Sequence, residues 1–205
     1  MKDYEVWDIA GHTLEFIDDT HTYLCDGVII PSITQILKTK FGGKYEGIKK
    51  ETLNNASKLG TAVHEAIERM CKEGIEAELP EIRNFKFLQK QYGFTVLENE
   101  IPVILSAVNG SYMTPICAGR LDMVIDMDGK TGLADIKRTS ELDKDYLAYQ
   151  LNLYRIAYRQ SYGIEAEFLR GIHLRENTRK FVTIPVNEDM AWDLVDEFLR
   201  EEKHE

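Results

Sequence analysis

Arg120-Leu-Asp-Met-Val-Ile-Asp-Met-Asp-Gly-Lys-Thr-Gly-Leu-Ala-Asp-Ile-Lys137 is built around Asp128-Gly129, a dipeptide suited to a two-residue hairpin turn. With the turn there, Met127 faces Lys130, and the register carried back along the strands sets Asp122 directly opposite Asp135. Opposed residues share a sheet face with Cβ atoms about 4.5–5.5 Å apart, and like charges so placed destabilise the pair. Lys137, two residues beyond Asp135, projects from the same face. A solvated face would disperse the repulsion. Val124 and Leu133, however, lie on that face between the aspartates and the turn, so it is partly apolar. A divalent cation bridging the two carboxylates resolves the conflict, and oxygen ligands suit Mg²⁺ or Mn²⁺.

Two helical segments offer companions to the hairpin. Gly60-Thr-Ala-Val-His64 places Gly60 and His64 one turn apart on one helix face. Glycine inside a helix costs about 1 kcal/mol relative to alanine, which suggests close packing there. His64 reads either as a buried histidine with its hydrogen bond satisfied or as a nitrogen ligand to the same cation. Gln150-Leu-Asn-Leu-Tyr154 repeats the i,i+4 spacing, with Tyr146 and Tyr158 extending the stripe. Such a stripe reads as core, but a buried glutamine amide needs partners, and Gln150 with Tyr154 suits a phosphate or a base.

The remaining pattern alternates helices and strands. Short strands are predicted over Leu14–Ile30 around Asp26-Gly27. A helix Ile33–Thr39 follows, capped by Ser32, then longer helices over Lys49–Lys72 and Glu81–Tyr92, the latter opened by Pro80. Phe94–Leu105, Tyr112–Asp126 and Leu133–Lys137 read as strands, with Asn109-Gly110 a turn signal. A helix Tyr146–Gln160, strands near Glu167–Leu174 and Lys180–Pro185, and a last helix capped by Asn187 complete the chain. That order predicts an α/β (α+β) fold with a central sheet. The 205 residues suit one domain, 1–205.

Composition is that of a globular protein: 43% apolar, 29% charged and 10% aromatic residues. Three cysteines (Cys25, Cys71, Cys117), with no CxxC, indicate neither a disulfide framework nor a zinc or iron–sulfur site, and read as reduced thiols in the cytoplasm. The charged N-terminus does not read as a signal peptide. Pro102, Asn109-Gly110 and Pro115 interrupt the longest uncharged stretch, so no membrane role is expected. The net charge of −10 is uneven: Glu188–Glu205 carries a net −6, whereas Gln35–Lys58 carries a net +4 from six lysines. That lysine-rich stretch reads as a solvated face or as a local phosphate-binding surface.

Taken jointly, Gly60-Thr-Ala-Val-His64, Gly119-Arg-Leu-Asp122, Asp135-Ile-Lys137 and Gln150-Leu-Asn-Leu-Tyr154 stand in the order of the GxxxH, GxxD, (D/E)xK and QxxxY motifs. The chain thereby resembles the PD-(D/E)XK nuclease superfamily, in its RecB-like and phage exonuclease branch. The resemblance covers Gly60–Tyr154, within a motif core of residues 60–160. It extends to an N-terminal segment, 1–45, through His21-Thr-Tyr23 and Pro31-Ser-Ile-Thr34.

It implies a restriction-endonuclease-like core, with a central mixed β-sheet flanked by helices. His64, Asp122, Asp135 and the Ile136 carbonyl would ligate Mg²⁺ or Mn²⁺, and Glu100 would be an auxiliary acid. Asp122, Asp135 and Lys137 would be catalytic, and Gln150 and Tyr154 would orient the strand being cut. The implied activity is a metal-dependent deoxyribonuclease, an exonuclease on linear DNA serving phage-type recombination. Its partners would be DNA, a single-strand annealing protein and further copies of the chain in a homo-oligomer. Alternatives are a same-fold nuclease acting on flaps, single strands or RNA, and a non-catalytic protein-binding module.

Overall fold

The computed structural model describes residues 4–45, 47, 49–109 and 112–201. Asp128 and Gly129 take φ of 56° and 75°, the paired positive values of a type I′ turn. The turn joins β6 (Tyr112–Met127) to β7 (Lys130–Lys137) in the predicted register, from Met127↔Lys130 to Met123↔Ala134. Gly110, of the other turn signal, lies outside the described residues.

Beside these strands lie β5 (Phe94–Asn109), β8 (Phe168–Arg175) and β9 (Thr178–Ile184), in the order β5-β6-β7-β8-β9. β7 and β8 are parallel and joined across one face by α4 (Lys144–Tyr162); the other pairings are antiparallel. The architecture is thus an α/β fold with a central mixed sheet flanked by helices. Alpha-helices α1 (Ile33–Phe41), α4 and α5 (Glu188–Glu201) share one apolar core on one face of this sheet.

The opposite face is divided. At one end Met123, Ile125 and Ala134 pack under α2 (Lys50–Glu73) and α3 (Pro80–Tyr92). At the other, Ile104 and Ala118 pack against a four-stranded antiparallel meander, β1 (Tyr4–Ile9), β2 (His12–Ile17), β3 (Thr22–Cys25) and β4 (Val28–Ile30). Strand β1 was not marked by the sequence pattern, because Glu5, Val6, Trp7 and Asp8 lack the clean alternation of a half-buried strand.

Local chemistry accounts for most element ends. Ser32 caps α1 in a full capping box with Gln35, and the Met190 amide donates to Asn187 at the start of α5. Asp143, not a residue nearer Tyr146, caps α4, accepting from the Tyr146 amide at 2.9 Å. All three cysteines are unpaired. Among the described residues no helix is long and apolar enough to cross a membrane.

Gly60 corrects one expectation. No atom beyond its own helix and chain neighbours lies within 4 Å of where its Cβ would be, so no close packing explains it. The first three turns of α2 stand largely in solvent, and the glycine leaves open space one turn before His64. Gly60→Ala should therefore stabilise the protein by about 1 kcal/mol. A calorimetric melt should show Tm rising by roughly 2–4 °C.

Candidate metal centre

β6 carries Asp122 at a break in its own alternation. Met123 and Ile125 face α2 and α3, whereas Cys117 and Leu121, of the same parity, join Val124 in the core beneath α4. The β6–β7 ladder ends at Met123↔Ala134, one step short of the expected Asp122–Asp135 pair; from there β6 stays with β5, while Asp135, Ile136 and Lys137 pair with Gly171, Ile172 and His173 of β8. The two aspartates thus sit where the ladder opens. The Asp122 carboxylate takes over one ladder bond, its Oδ2 accepting from the Ile136 amide at 2.7 Å.

Strand β5 answers with Glu100, between the pairs Asn99↔Met123 and Ile101↔Leu121 and so level with Asp122. Its φ of 52° is unusual for a non-glycine residue, and such strain persists where surrounding structure imposes it, often at functional sites. Three neighbouring strands therefore present Glu100, Asp122 and Asp135 at one level. From α2, His64 Nε2 donates to the Ile136 carbonyl at 3.1 Å, while Nδ1 lies 3.6 Å from Asp122 and 3.8 Å from Glu100.

One ligand atom each from His64, Glu100 and Asp122 falls within a mutual 4.8 Å. Asp135 stands beside this trio rather than in it. Its carboxylate is 1% exposed, and Lys137 Nζ lies 2.6 Å from Oδ2. Lys137 thus pairs with Oδ2, while Oδ1 has no hydrogen-bond donor. A buried carboxylate oxygen without a donor is costly, and Lys137 offsets only part of that cost, since Asp135 stays above the ordinary carboxylate range beside it. Hard oxygen donors with one imidazole fit Mg²⁺ or Mn²⁺, so the residues present suit the ion that the sequence implies.

The electrostatics agree. Burial, then the Asp122 carboxylate, push Asp135 up to about 6, against the pull of Lys137. Burial also raises Asp122, with Glu100 adding to it and His64 and Lys137 opposing. For His64 burial acts downward, but Asp122, Glu100 and Asp135 prevail and raise it to about 9. Lys137, also depressed by burial, is held above its ordinary value by Asp135 and Asp122 and remains an ammonium ion.

Gln150 and Tyr154 arrive from α4 on the opposite side of the opening. Both are buried and line a cavity of about 300 Å³ shared with His64, Glu100 and Asp122. Gln150 Oε1 has no hydrogen-bond donor. Gly119 makes room for Tyr154, since a Cβ there would lie 3.0–3.1 Å from the Tyr154 ring, its hydroxyl and Ile33. The GxxD and QxxxY stretches are thus linked by contact. His21, Tyr23, Ser32 and Thr34 also line the cavity, as do Phe16 and Arg120, which sequence reasoning did not single out. Arg120, two residues before Asp122 on one strand, was the available signal.

No family model and no curated protein matches the chain. Among solved structures it is similar to the crystal structure of SSO0001, at TM-score 0.48 and 16% identity, over 82% of this chain and 74% of that one.

Two expected outcomes follow from the geometry. In the metal-free protein the folded state holds protons more tightly than the unfolded chain, on Asp135 between 3.8 and about 6 and on His64 between 6.5 and about 9. Both groups then make stability fall as pH rises through those windows. A divalent cation that replaces those protons should stabilise increasingly over the same range. Thermal melts in chelator and in Mg²⁺ or Mn²⁺ between pH 5.5 and 9 should therefore diverge with rising pH; parallel curves would contradict the site. Separately, Gly119→Ala should cost about 1–3 kcal/mol in a denaturant titration, because a Cβ there meets the fully buried Ile33 as well as the Tyr154 ring at 3.0–3.1 Å.

Proposed function

We propose that the protein is a Mg²⁺-dependent deoxyribonuclease of the PD-(D/E)XK type, acting as an exonuclease on linear DNA. The observation that carries this reading is the buried carboxylate of Asp135, paired with Lys137 through Oδ2 and with Oδ1 unpartnered, beside the His64, Glu100 and Asp122 trio. Asp122, Asp135, the Ile136 carbonyl and His64 would hold the ion, and Glu100, grouped with His64 and Asp122, would be a further acid beside it. A bound divalent ion would supply Lewis acidity toward a phosphodiester and lower the pKa of a water.

The chain's own groups then have defined tasks. Lys137, kept cationic by the two aspartates, stabilises negative charge developing on the phosphate oxygens and orients the attacking water as a donor. His64 must give up the proton that it holds in the metal-free protein before its nitrogen is available as a ligand. Gln150 offers an unused acceptor, and Tyr154 a hydroxyl beside Gly119, to the strand being cut. None of these groups requires a particular base, so cleavage is indifferent to sequence. The resemblance to the phage branch supports a place in recombination or DNA processing, with a single-strand annealing protein as partner and the chain in a homo-oligomer.

The test incubates end-labelled linear duplex and covalently closed circular DNA with Mg²⁺, Mn²⁺ or chelator. Loss of linear DNA alone, abolished by Asp122→Ala, is expected; nicked circles would indicate an endonuclease. Lys137→Ala should lower turnover about 10²–10³-fold while leaving metal and DNA binding in place. Survival of every DNA form would exclude the reading, and an RNA substrate would then separate a same-fold ribonuclease from a binding module.

A further inference from the structure

The N-terminal meander walls one side of the cavity through Phe16 and Tyr23, and Glu5 holds Arg120 beside them at 2.8 Å. At one end of the meander two hairpin turns lie side by side. Ala10-Gly11 joins β1 to β2 and Asp26-Gly27 joins β3 to β4, each with the paired positive φ of a type I′ turn: 51° and 84°, then 52° and 79°. Because β2 and β3 are antiparallel, the start of β2 meets the end of β3 there, with Leu14 opposite Cys25. His12, two residues before Leu14, shares their face of the sheet.

Three unlike donors converge at that end. One ligand atom each from His12, Cys25 and Asp26 lies within a mutual 4.8 Å. Asp26 is fixed from two sides, its Oδ1 accepting from the Thr13 amide at 2.9 Å and its own amide donating to the Thr13 carbonyl. Its Oδ2 accepts from His12 Nδ1 at 2.7 Å. Cys25 is 4% exposed, and its thiol makes no hydrogen bond among the described residues. Burial, then Asp26, push that thiol up, so it is protonated and not a reactive thiolate. The side chains of His12 and Asp26 are partly exposed, which leaves the buried sulfur reachable by an ion from solvent.

We infer that His12, Cys25 and Asp26 form a second cation site, one for Zn²⁺, separate from the metal centre. A thiolate with an imidazole and a carboxylate selects a borderline-soft ion, whereas the oxygen-rich set around Asp122 suits Mg²⁺ or Mn²⁺. Bonds of about 2.0–2.3 Å to a tetrahedral ion set ligand atoms roughly 3.3–3.6 Å apart. The trio therefore closes on Zn²⁺ when the His12–Asp26 contact opens by about 0.6 Å. The thiol proton leaves to solvent as the zinc–sulfur bond forms, and a water completes the tetrahedron. Bound there, the ion ties the first residue of β2 to the last of β3 and to the turn beyond it, and so fastens the meander that walls the cavity. No CxxC spacing marks such a site, because its ligands meet through strand pairing. The site does not depend on the nuclease reading.

The test strips the full chain with chelator and titrates it with Co²⁺, then Zn²⁺, in excess Mg²⁺. One equivalent of Co²⁺ should produce a sulfur-to-cobalt charge-transfer band that Zn²⁺ displaces. The metal centre contains no cysteine, so the band reports a thiolate elsewhere. Cys25→Ser should abolish it, and Cys71→Ser should leave it unchanged. His12→Ala, and Asp26→Asn, which tolerates the positive φ and keeps an acceptor for the Thr13 amide, should each weaken Zn²⁺ binding at least about tenfold. Since both positions are partly exposed, these two variants decide the matter even if Cys25→Ser fails to fold. No band with Co²⁺, a band that survives Cys25→Ser, or Zn²⁺ affinity unchanged in both His12→Ala and Asp26→Asn would overturn the site. None of these outcomes bears on DNA cleavage.

Discussion

Repulsion between one buried and two half-buried carboxylates organises the centre of this molecule. Glu100, Asp122 and Asp135 stand on three neighbouring strands where the β6–β7 ladder opens; burial weakens the acidity of two of them, with Glu100 adding to it at Asp122 and Asp122 at Asp135. The protein contains that repulsion without a metal by holding a proton on His64 and an ammonium on Lys137. The balance is costly at Asp135 Oδ1, which lies buried without a hydrogen-bond donor. A dication would relieve all of it at one point.

The architecture serves that point. Strand β6 runs through both ends of the sheet, packed beneath α1 and α4 on one side and beneath α2, α3 or the meander on the other. The inversion of its alternation at Asp122 falls where these coverings meet. A helix from one face, His64 on α2, and another from the opposite face, Gln150 and Tyr154 on α4, can therefore reach the same opening. Rigid strands carry the acids and helices carry the orienting groups, an arrangement that keeps a site preorganised.

The hairpin was legible because its information is local: Asp128-Gly129 sets the turn, the turn sets the register, and Val124 and Leu133 reveal the buried face. The side chains of Asp122, Asp135 and Lys137 followed from that. The ladder's opening at Asp122 was not legible, since nothing in the hairpin's own residues marks the end of its pairing at Met123↔Ala134. The meander wall was hidden for the same reason, as Phe16, Tyr23 and Arg120 meet only through packing between segments about 100 residues apart. Gly60 misled because a helical glycine implies proximity to something, and in the protein alone the space beside it is open.

The most direct measurement is the anomalous scattering of a crystal equilibrated with Mn²⁺ and recorded at the manganese edge. A peak is predicted within coordination distance of Asp122 and Asp135, with His64 turned from the Ile136 carbonyl toward the ion. No peak there at saturating Mn²⁺, or a peak only at His12, Cys25 and Asp26, a second possible ligand group among the described residues, would contradict the account.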